Sequence, residues 1–350
     1  MVRRPDNPRP GLVVIDKPQG LTSHDVVSRV RRLAHTRKVG HGGTLDPMAT
    51  GVLVIGIGKA TKLLTWVSGH SKEYRATIRF GVATNTDDAE GVATAAVGCA
   101  SLSEEELESA LAPLRGDIMQ VPSTVSAIKV NGKRAYALAR AGEDVELAAR
   151  PVRISRLQVL APPRPAEYVC DEADGENVPD AELPSGPVSV VDVDVVVECS
   201  SGTYVRALAR DAGEALGVGA HLTALRRTRV GDVTVESAVT LDELSAAVEA
   251  ATLEGEPEAE PILPLVPLGE AARTMFPTLL LTEAEAGAFA HGQAPRHSRG
   301  ELAQWATEVG YRPDVSSEEE ASPIAALAPD GTVLGLLRID EARLRTVLVF

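Results

Sequence analysis

The 350-residue chain carries 35 Lys+Arg against 49 Asp+Glu, and its net charge of −14 disfavours a nucleic-acid partner because phosphate binding needs clustered cations. That charge is uneven, with 14 basic and 5 acidic side chains in residues 1–80 but 7 and 20 in residues 236–350, which is typical of one polyanion-facing surface. Three scattered cysteines exclude a disulfide framework and a structural zinc site. The lack of a membrane-length apolar run and of an apolar signal segment excludes a membrane protein and predicts a cytoplasmic one.

Strand and helix signals alternate through the first 80 residues. An apolar run at 11–16 predicts a buried strand that ends at Pro18. Ser23 is expected to cap a helix whose valines and leucines recur at helical spacing as far as residue 33. A glycine-rich loop at 36–50, a strand at 52–57, a helix at 59–67 and a strand at 74–80 follow in the predicted order.

Turn and cap signals organise the middle of the chain. Ser103 and Glu106 form a capping box for a helix over 104–114, and Asn131-Gly132 predicts a hairpin beside residues 125–130. Six prolines and seven acids between 161 and 187 predict an acidic, mobile surface insertion. The ranges that follow are predicted as a strand over 188–197, a helix over 202–216 and a short strand over 233–239.

The prolines and acids of 251–274 predict a linker between a large domain, 1–250, and a small one, 275–350. The small unit is expected to be strand-rich near 278–281 and 324–350, with a polar insertion at 312–323. Because hairpin signals are present and no regular βαβ period is found, the pattern favours an α+β fold over a doubly wound sheet.

The densest unusual stretch is the loop from Lys38 to Gly51, which holds four glycines and one proline. Glycines allow a ligand to approach the backbone closely, and Pro47 restricts Asp46 to extended conformations. A carboxylate presented in this way fits a nucleophile, a general base or the cap of a nearby helix. Spacing alone leaves these alternatives open and somewhat favours the cap.

Other candidates are equally undecided by spacing. His41 has no histidine or cysteine partner at metal-ligand spacing, so no metal site is expected there. Residues 56–61 resemble a phosphate loop, but Leu53 stands where the first glycine belongs and Ala60 replaces the Ser or Thr, which excludes ATP binding. Tyr74 fits a base-stacking residue or a core tyrosine, and Arg206 fits an anion contact or an ordinary surface arginine.

Several stretches, taken together and in order, resemble the bacterial tRNA pseudouridine-55 synthase (TruB) family over roughly residues 10–235. The stretches are Asp16–Asp25, His41–Leu53, Lys72–Tyr74, Thr86–Gly91, Pro122-Ser123 with Ser126–Lys129, Gly202–Arg206 and Gly219–Arg227. One of them alone would be weak support, whereas the ordered set makes chance a poor explanation.

The resemblance implies isomerisation of the T-loop uridine at tRNA position 55 to pseudouridine without a cofactor. It implies that Asp46 is the essential catalytic aspartate, acting by covalent addition to the sugar or by a glycal route. The other roles that it implies are an RNA contact for His41, base stacking for Tyr74, pairing with the aspartate for Arg206, a uracil pocket for Tyr204 and Leu225, and support of the active-site loop for Lys17 and Pro18.

The resemblance also implies a mixed, largely antiparallel sheet with flanking helices and a cleft, and a terminal PUA-like domain at 275–350. The expected partner is the T-arm of tRNA, bound by a monomer that needs no protein partner and no membrane. The acidic insertion is expected to face away from the RNA.

Three other functions compete with this one. A non-catalytic tRNA-binding or RNA-folding protein would use the same cleft, but it would not need the carboxylate of Asp46 facing phosphates. Guide-RNA-dependent modification within a larger particle is disfavoured because the chain lacks long basic tails. An acidic scaffold protein would leave the His41–Gly51 loop unexplained.

Overall fold

The computed structural model of the protein describes residues 9–123, 129–130, 133–134, 147–170, 183–184, 186–253, 263–311, 323–340 and 343–350. The α-helices of these ranges are α1 (Ser23–Leu33), α2 (Leu64–Gly69), α3 (Glu104–Leu111), α4 (Val205–Ala215), α5 (Leu241–Leu253), α6 (Leu268–Met275), α7 (Glu283–Ala290) and α8 (Arg299–Glu308). Short 3₁₀ helices span Gly58–Leu63, Ala112–Leu114 and Val235–Ser237.

The strands belong to one large sheet and three small ones. In the first half of the chain they are β1 (Gly11–Lys17), β2 (Val39–His41), β3 (Thr50–Ile57), β4 (Lys72–Phe80), β5 (Ala83–Thr84), β6 (Ala93–Ala95), β7 (Gly116–Gln120), β8 (Lys129–Val130), β9 (Lys133–Arg134), β10 (Arg150–Val159) and β11 (Arg164–Tyr168). The second half adds β12 (Val188–Cys199), β13 (Ala220–Val230), β14 (Val233–Thr234), β15 (Val266–Pro267), β16 (Thr278–Leu280), β17 (Ile324–Leu327), β18 (Val333–Asp340) and β19 (Arg343–Val349).

The large sheet has eleven strands. Its main order is β15-β1-β3-β13-β4-β12-β10-β7, with β2 beside β3, β14 beside β13 and β11 beside β12. Among these strands the pairs are antiparallel apart from β3 with β13, which run parallel through Thr50↔Arg226 and Gly51↔Arg227. The prediction of a mixed, largely antiparallel α+β fold is therefore confirmed.

The strands of the large sheet alternate, so that one face carries the main core and part of the other face carries a second core. In β4 the side chains of Tyr74, Ala76 and Ile78 enter the main core, whereas Arg75 between them is exposed. Helices α1, α3, α4 and α5 contribute their apolar residues to this main core. On the other face, α2 and α6 form a second core with the valines of β3.

The C-terminal unit is small and rich in strands, as predicted. Strands β16, β17, β18 and β19 form a sheet in that order, with a parallel first pair and antiparallel remaining pairs. Helices α7 and α8 pack on this sheet through Phe289 and Leu302. Its likeness to a PUA domain and the exact domain boundaries stay predictions.

Two predicted irregular segments contain regular structure instead. Within the predicted insertion 161–187, β11 pairs with β12, and Arg164 forms an ion pair with Asp194. Within the predicted linker 251–274, α5 extends to residue 253, α6 begins at Leu268, and β15 joins the large sheet beside Gly11 and Leu12. The proline and acid content of the two segments predicts loops and therefore misses these elements. A proline is compatible with an edge strand such as β11 and with the position before a helix such as α6.

Smaller differences concern helix and strand ends. Thr22, not Ser23, caps α1, and its side chain accepts a hydrogen bond from the Asp25 backbone. Helix α4 begins at Val205, three residues later than predicted. The predicted strand 233–239 is interrupted by the 3₁₀ helix Val235–Ser237, which separates β14 from a single bridge between Val239 and Ile15. The predicted hairpin is confirmed in the pairing of β8 with β9, although its Asn131-Gly132 turn and most of the insertion 312–323 lie outside the described residues.

Gly51, the first glycine of β3, is predicted to be irreplaceable. Its φ is +98°, and a Cβ there would lie 2.1 Å from the carbonyl oxygen of Arg227 on the parallel strand. We expect Gly51→Ala to lower the free energy of unfolding by at least about 3 kcal/mol, measured by urea denaturation. Gly20→Ala is the matched control: φ is +82° but no atom lies within 4 Å, so only the backbone cost of about 1–2 kcal/mol remains. Equal losses would contradict this explanation.

Candidate active site

A buried lysine anchors the Asp46 loop through hydrogen bonds. Lys17, at the end of β1, has no exposed surface, and its Nζ donates hydrogen bonds to the carbonyls of Pro18, Leu21 and Pro47 at 2.9, 2.6 and 3.2 Å. Burial lowers the pKa of Lys17 to about 8, against the opposing effect of the Asp46 carboxylate. Its ammonium group thus joins the first turn of the chain to the residue that follows Asp46.

Ser23 ties helix α1 to the same loop. Its hydroxyl accepts a hydrogen bond from the Leu45 backbone N–H at 2.8 Å and donates one to the Leu45 carbonyl at 3.1 Å. The Gly20 N–H also donates to the Pro47 carbonyl at 2.8 Å. The two residues that flank Asp46 are therefore both anchored, which limits the positions open to its carboxylate.

Asp46 belongs to a buried network of two carboxylates and one arginine. The Arg206 Nε lies 3.0 Å from an Asp46 oxygen, and its Nη1 lies 3.1 Å from an oxygen of Asp88. The side chains of Arg206 and Asp88 are 5% and 3% exposed, whereas that of Asp46 is 35% exposed. Arg206 is thus fixed inside the protein, and Asp46 is the member of the network that a substrate can reach.

Burial and the neighbouring charges shift the pKa of Asp46 in opposite directions. Desolvation raises the pKa of Asp46, the Arg206 guanidinium lowers it, and the negative charge of Asp88 raises it again. A carboxylate in this setting retains basicity and nucleophilicity beyond those of an exposed aspartate, while Arg206 keeps its orientation.

Helix α4 presents Arg206 in its first turn, and a glutamine fixes the start of that helix. Gln120, at the end of β7, accepts a hydrogen bond from the Tyr204 N–H at 2.9 Å and donates one to the Tyr204 carbonyl at 3.1 Å. Gln120 is 2% exposed. The backbone of Tyr204, which precedes α4, is therefore fixed by two hydrogen bonds to one buried side chain.

Tyr74 and Leu225 are neighbours across the sheet. Tyr74 faces Arg227 in the register of β4 and β13, and Leu225 faces Ala76, two positions away on the same face. Tyr74 is 7% exposed, and its burial raises the pKa of its hydroxyl, so the phenol is neutral at pH 7. Leu225, Met48 and Gln19 also line a groove of about 570 Å³, together with the arginines Arg75 and Arg226.

His41 lies at the other side of the loop, at the end of β2. Its ring packs edge-to-face against that of His24, with 5.6 Å between ring centroids, and its buried Nδ1 has no hydrogen-bond partner within the described part of the chain. Desolvation lowers the pKa of His41, and the nearby His24 and Arg227 lower it further. His41 is therefore a neutral imidazole at pH 7, and its Nδ1 is shielded from solvent.

Comparisons with known proteins identify the family of the chain. The model of the TruB family pseudouridylate synthase N-terminal domain matches residues 31–205, and that of the tRNA pseudouridylate synthase B C-terminal domain matches residues 206–267. The chain belongs to the TruB family. A tRNA pseudouridine synthase B of Arthrobacter sp. (strain FB24) is 48% identical over 340 residues, covering 97% of this chain and 96% of its own length.

Another TruB relative and two solved structures are also similar to this chain. A tRNA pseudouridine synthase B of Mycobacteroides abscessus is 54% identical over 285 residues, covering 81% of this chain and 84% of its own length. A chain from an H/ACA RNP bound to a substrate RNA containing 2′-deoxyuridine has a TM-score of 0.62 at 22% identity, over 97% of this chain and 84% of that one. A chain from a Cbf5-Nop10-Gar1 complex has a TM-score of 0.61 at the same identity. At this identity the likeness concerns the fold.

The site residues named from the TruB resemblance mostly meet around one loop. Lys17, Pro18 and Arg206 contact the Asp46 loop or one another directly. Tyr74 and Leu225 lie together on the sheet, and Tyr204 begins the helix that carries Arg206.

Sequence reasoning assigned no role to three residues of the site, Asp88, Gln120 and Arg227. Asp88 and Arg227 lie inside stretches that carry the family resemblance, which was the one signal available for them. Gln120 gave no signal, because its function depends on a contact 84 residues away in the chain.

Proposed function

We propose that this chain isomerises the uridine at position 55, in the T-loop of tRNA, to pseudouridine. The observation that carries this proposal is the pairing of a reachable Asp46 carboxylate with the buried Arg206–Asp88 pair, on an anchored loop. A protein that only binds tRNA gains nothing from a fixed carboxylate, since carboxylates repel phosphates. The relatives that carry the name tRNA pseudouridine synthase B support the same reaction.

The reaction breaks the N1–C1′ bond of uridine, turns the uracil and joins its C5 to C1′. The C5 proton is then lost to water, and N1 takes up a proton. Asp46 acts on the sugar, either by covalent addition or by removing a sugar proton along a glycal route. Both routes need an ionised carboxylate that is partly desolvated, and Arg206 maintains that ionised form against the burial that raises the pKa of Asp46. Protein side chains do this chemistry, and the proposal includes no cofactor.

The remaining residues bind and orient the flipped nucleotide. Tyr74 stacks on the target uracil, and Tyr204 and Leu225 line the pocket that receives it. His41, whose ring packs against His24 beside the Asp46 loop, contacts the T-loop. Flipping a base costs a few kcal/mol, which stacking on an aromatic ring offsets. Lys17 and Pro18 support the loop.

The groove beside the loop carries charges of both signs, since Arg75, Arg226 and Asp194 line it and Arg226 is paired with Asp16. Arg75 is exposed and is the lining residue best placed to contact a phosphate. The described part of the acidic insertion, β11, is paired to β12 in the sheet. We propose that the chain acts in the cytoplasm as a monomer without a protein partner. Within the described residues, no helix is long and apolar enough to cross a membrane.

Loss of the C5 hydrogen gives a direct test. The protein is incubated with an unmodified tRNA transcript labelled with tritium at C5 of its uridines, and tritium released to water is counted. We expect release of one equivalent per tRNA, and none from a transcript in which cytidine replaces the uridine at position 55. Tight binding of the transcript without any release would instead indicate the non-catalytic tRNA-binding protein.

A further inference from the structure

Arg227, on β13, is the most completely buried arginine near the site and has an unusual set of partners. It is 1% exposed. Its Nε donates a hydrogen bond to the Val52 carbonyl at 2.7 Å, its Nη1 to the Thr44 carbonyl at 3.2 Å, and its Nη2 to the Gly43 carbonyl at 3.1 Å. The last two carbonyls belong to the loop that carries Asp46.

No carboxylate within the described ranges forms an ion pair with Arg227, whereas several other arginines of the sheet have one. Arg79 pairs with Asp192, and Arg229, two residues further along β13, pairs with Glu198. Burial of a guanidinium without a counter-ion is costly, and backbone carbonyls only partly offset the cost. Stability alone is therefore a poor explanation for an arginine at this position.

The neighbour of Arg227 across the sheet supplies the explanation. Tyr74 lies opposite Arg227 in the β4–β13 register, and the charge of the guanidinium lowers the pKa of the Tyr74 hydroxyl against the larger, opposite effect of burial. One planar group thus lies beside the Tyr74 phenol and binds the carbonyls of Gly43 and Thr44, which precede Asp46 by three and two residues. Lysine could not replace it, because an ammonium group lacks the fork that reaches several acceptors at once.

We propose that Arg227 is a positioning residue that fixes the ring of Tyr74 relative to the Asp46 carboxylate through the Tyr74 hydroxyl and the Gly43–Thr44 carbonyls. The inference rests on the proposed function, in which Tyr74 stacks on the uracil while Asp46 acts on the sugar of the same nucleotide. The base must turn while the sugar stays in place, so the distance between the stacking ring and the carboxylate has to be constant. A rigid link between the two satisfies that need.

A double-mutant cycle separates this role from mere support of the loop. Single-turnover rates of pseudouridine formation are measured at saturating tRNA for wild type, Arg227→Lys, Tyr74→Phe and the double variant. We expect each single change to lower the rate about 10- to 100-fold, as for loss of a charge-assisted hydrogen bond. The double variant should be no slower than the slower single variant. Losses that multiply in the double variant would show that Arg227 acts independently of the Tyr74 hydroxyl, and would overturn the proposal.

Arg229→Lys is the matched control on the same strand. It keeps a cation beside Glu198 and leaves Tyr74 untouched, so its rate should stay within about twofold of wild type. Dissociation constants for tRNA, measured by filter binding, should change less than about threefold in all variants, because the proposed effect is on orientation.

A second measurement needs no substitution at Arg227 and therefore does not depend on whether its variants fold. In protein labelled with ¹⁵N-arginine, Tyr74→Phe should accelerate hydrogen exchange of one buried arginine side chain at least severalfold, because the proposed hydrogen bond between the two side chains is lost. Unchanged exchange of every arginine side chain would overturn the proposed link. The proposed function fails separately, if wild type forms no pseudouridine.

Discussion

Asp46→Asn should abolish pseudouridine formation while tRNA binding persists. The amide is nearly the same size as the carboxylate and can stay beside Arg206, but it can neither add to the sugar nor accept a proton from it. We expect the single-turnover rate to fall at least about a thousand-fold, as when the central group of a catalytic site is removed. Tritium release measures the rate, and filter binding measures the affinity, which should be unchanged or slightly higher.

The neighbouring acid Glu90 provides a control for the Asp46 substitution. Glu90 is close enough to Asp46 for their charges to interact, but it does not contact Arg206 through an ion pair. Glu90→Gln should therefore retain a rate within about tenfold of wild type. If Asp46→Asn retained wild-type activity, the assignment of the reacting carboxylate would be wrong.

Arg206→Met should impair both stability and activity. Asp88, 3% exposed, would lose its ion-pair partner, and leaving such a charge unpaired costs about 3–5 kcal/mol of unfolding free energy. Activity should decrease as well, because Arg206 has the largest lowering effect on the pKa of Asp46. Urea denaturation measures the first effect, and the pH dependence of kcat/KM measures the second.

The direction of the pH effect follows from the charges. Burial already raises the pKa of Asp46, so removing Arg206 raises it further, and a smaller fraction of the carboxylate is ionised at any given acidic pH. The acidic limb of the rate profile should therefore move to higher pH in Arg206→Met. Arg79→Met, which breaks the ion pair with Asp192 on the outer face of the sheet, should leave the limb in place. A limb that moved to lower pH would contradict the role given to Arg206.

Local sequence patterns predicted much of the fold because their causes are local. The alternation in residues 74–80 and the capping box of Ser103 with Glu106 each depend on neighbours within a few residues. The cap of α1 was misassigned because Ser23 and Thr22 are equally good capping residues, and Ser23 is instead committed to Leu45, 22 residues away. The strand β11 was missed because its pairing with β12 outweighs its poor strand composition.

The site residues likewise divide into those that local sequence patterns indicate and those that depend on contacts between distant parts of the chain. Asp46 and its loop are visible in the sequence because four glycines lie close to the Asp46-Pro47 pair. The family resemblance then assigned roles to Tyr74, Arg206 and the other site residues. Asp88 could not be assigned from spacing, since its partner Arg206 lies on a helix more than a hundred residues away. The link from Arg227 to Gly43 and Thr44 likewise exists only once β3 and β13 lie side by side.

Mapping of pseudouridine at nucleotide resolution tests the central claim most directly. An unmodified tRNA transcript is treated with wild type or with Asp46→Asn, and its pseudouridines are located by chemical labelling and sequencing. We predict one pseudouridine at position 55 with wild type and none with Asp46→Asn at the same degree of binding. Pseudouridine formed equally by both proteins, or tRNA that is bound by wild type but left unmodified, would contradict the account.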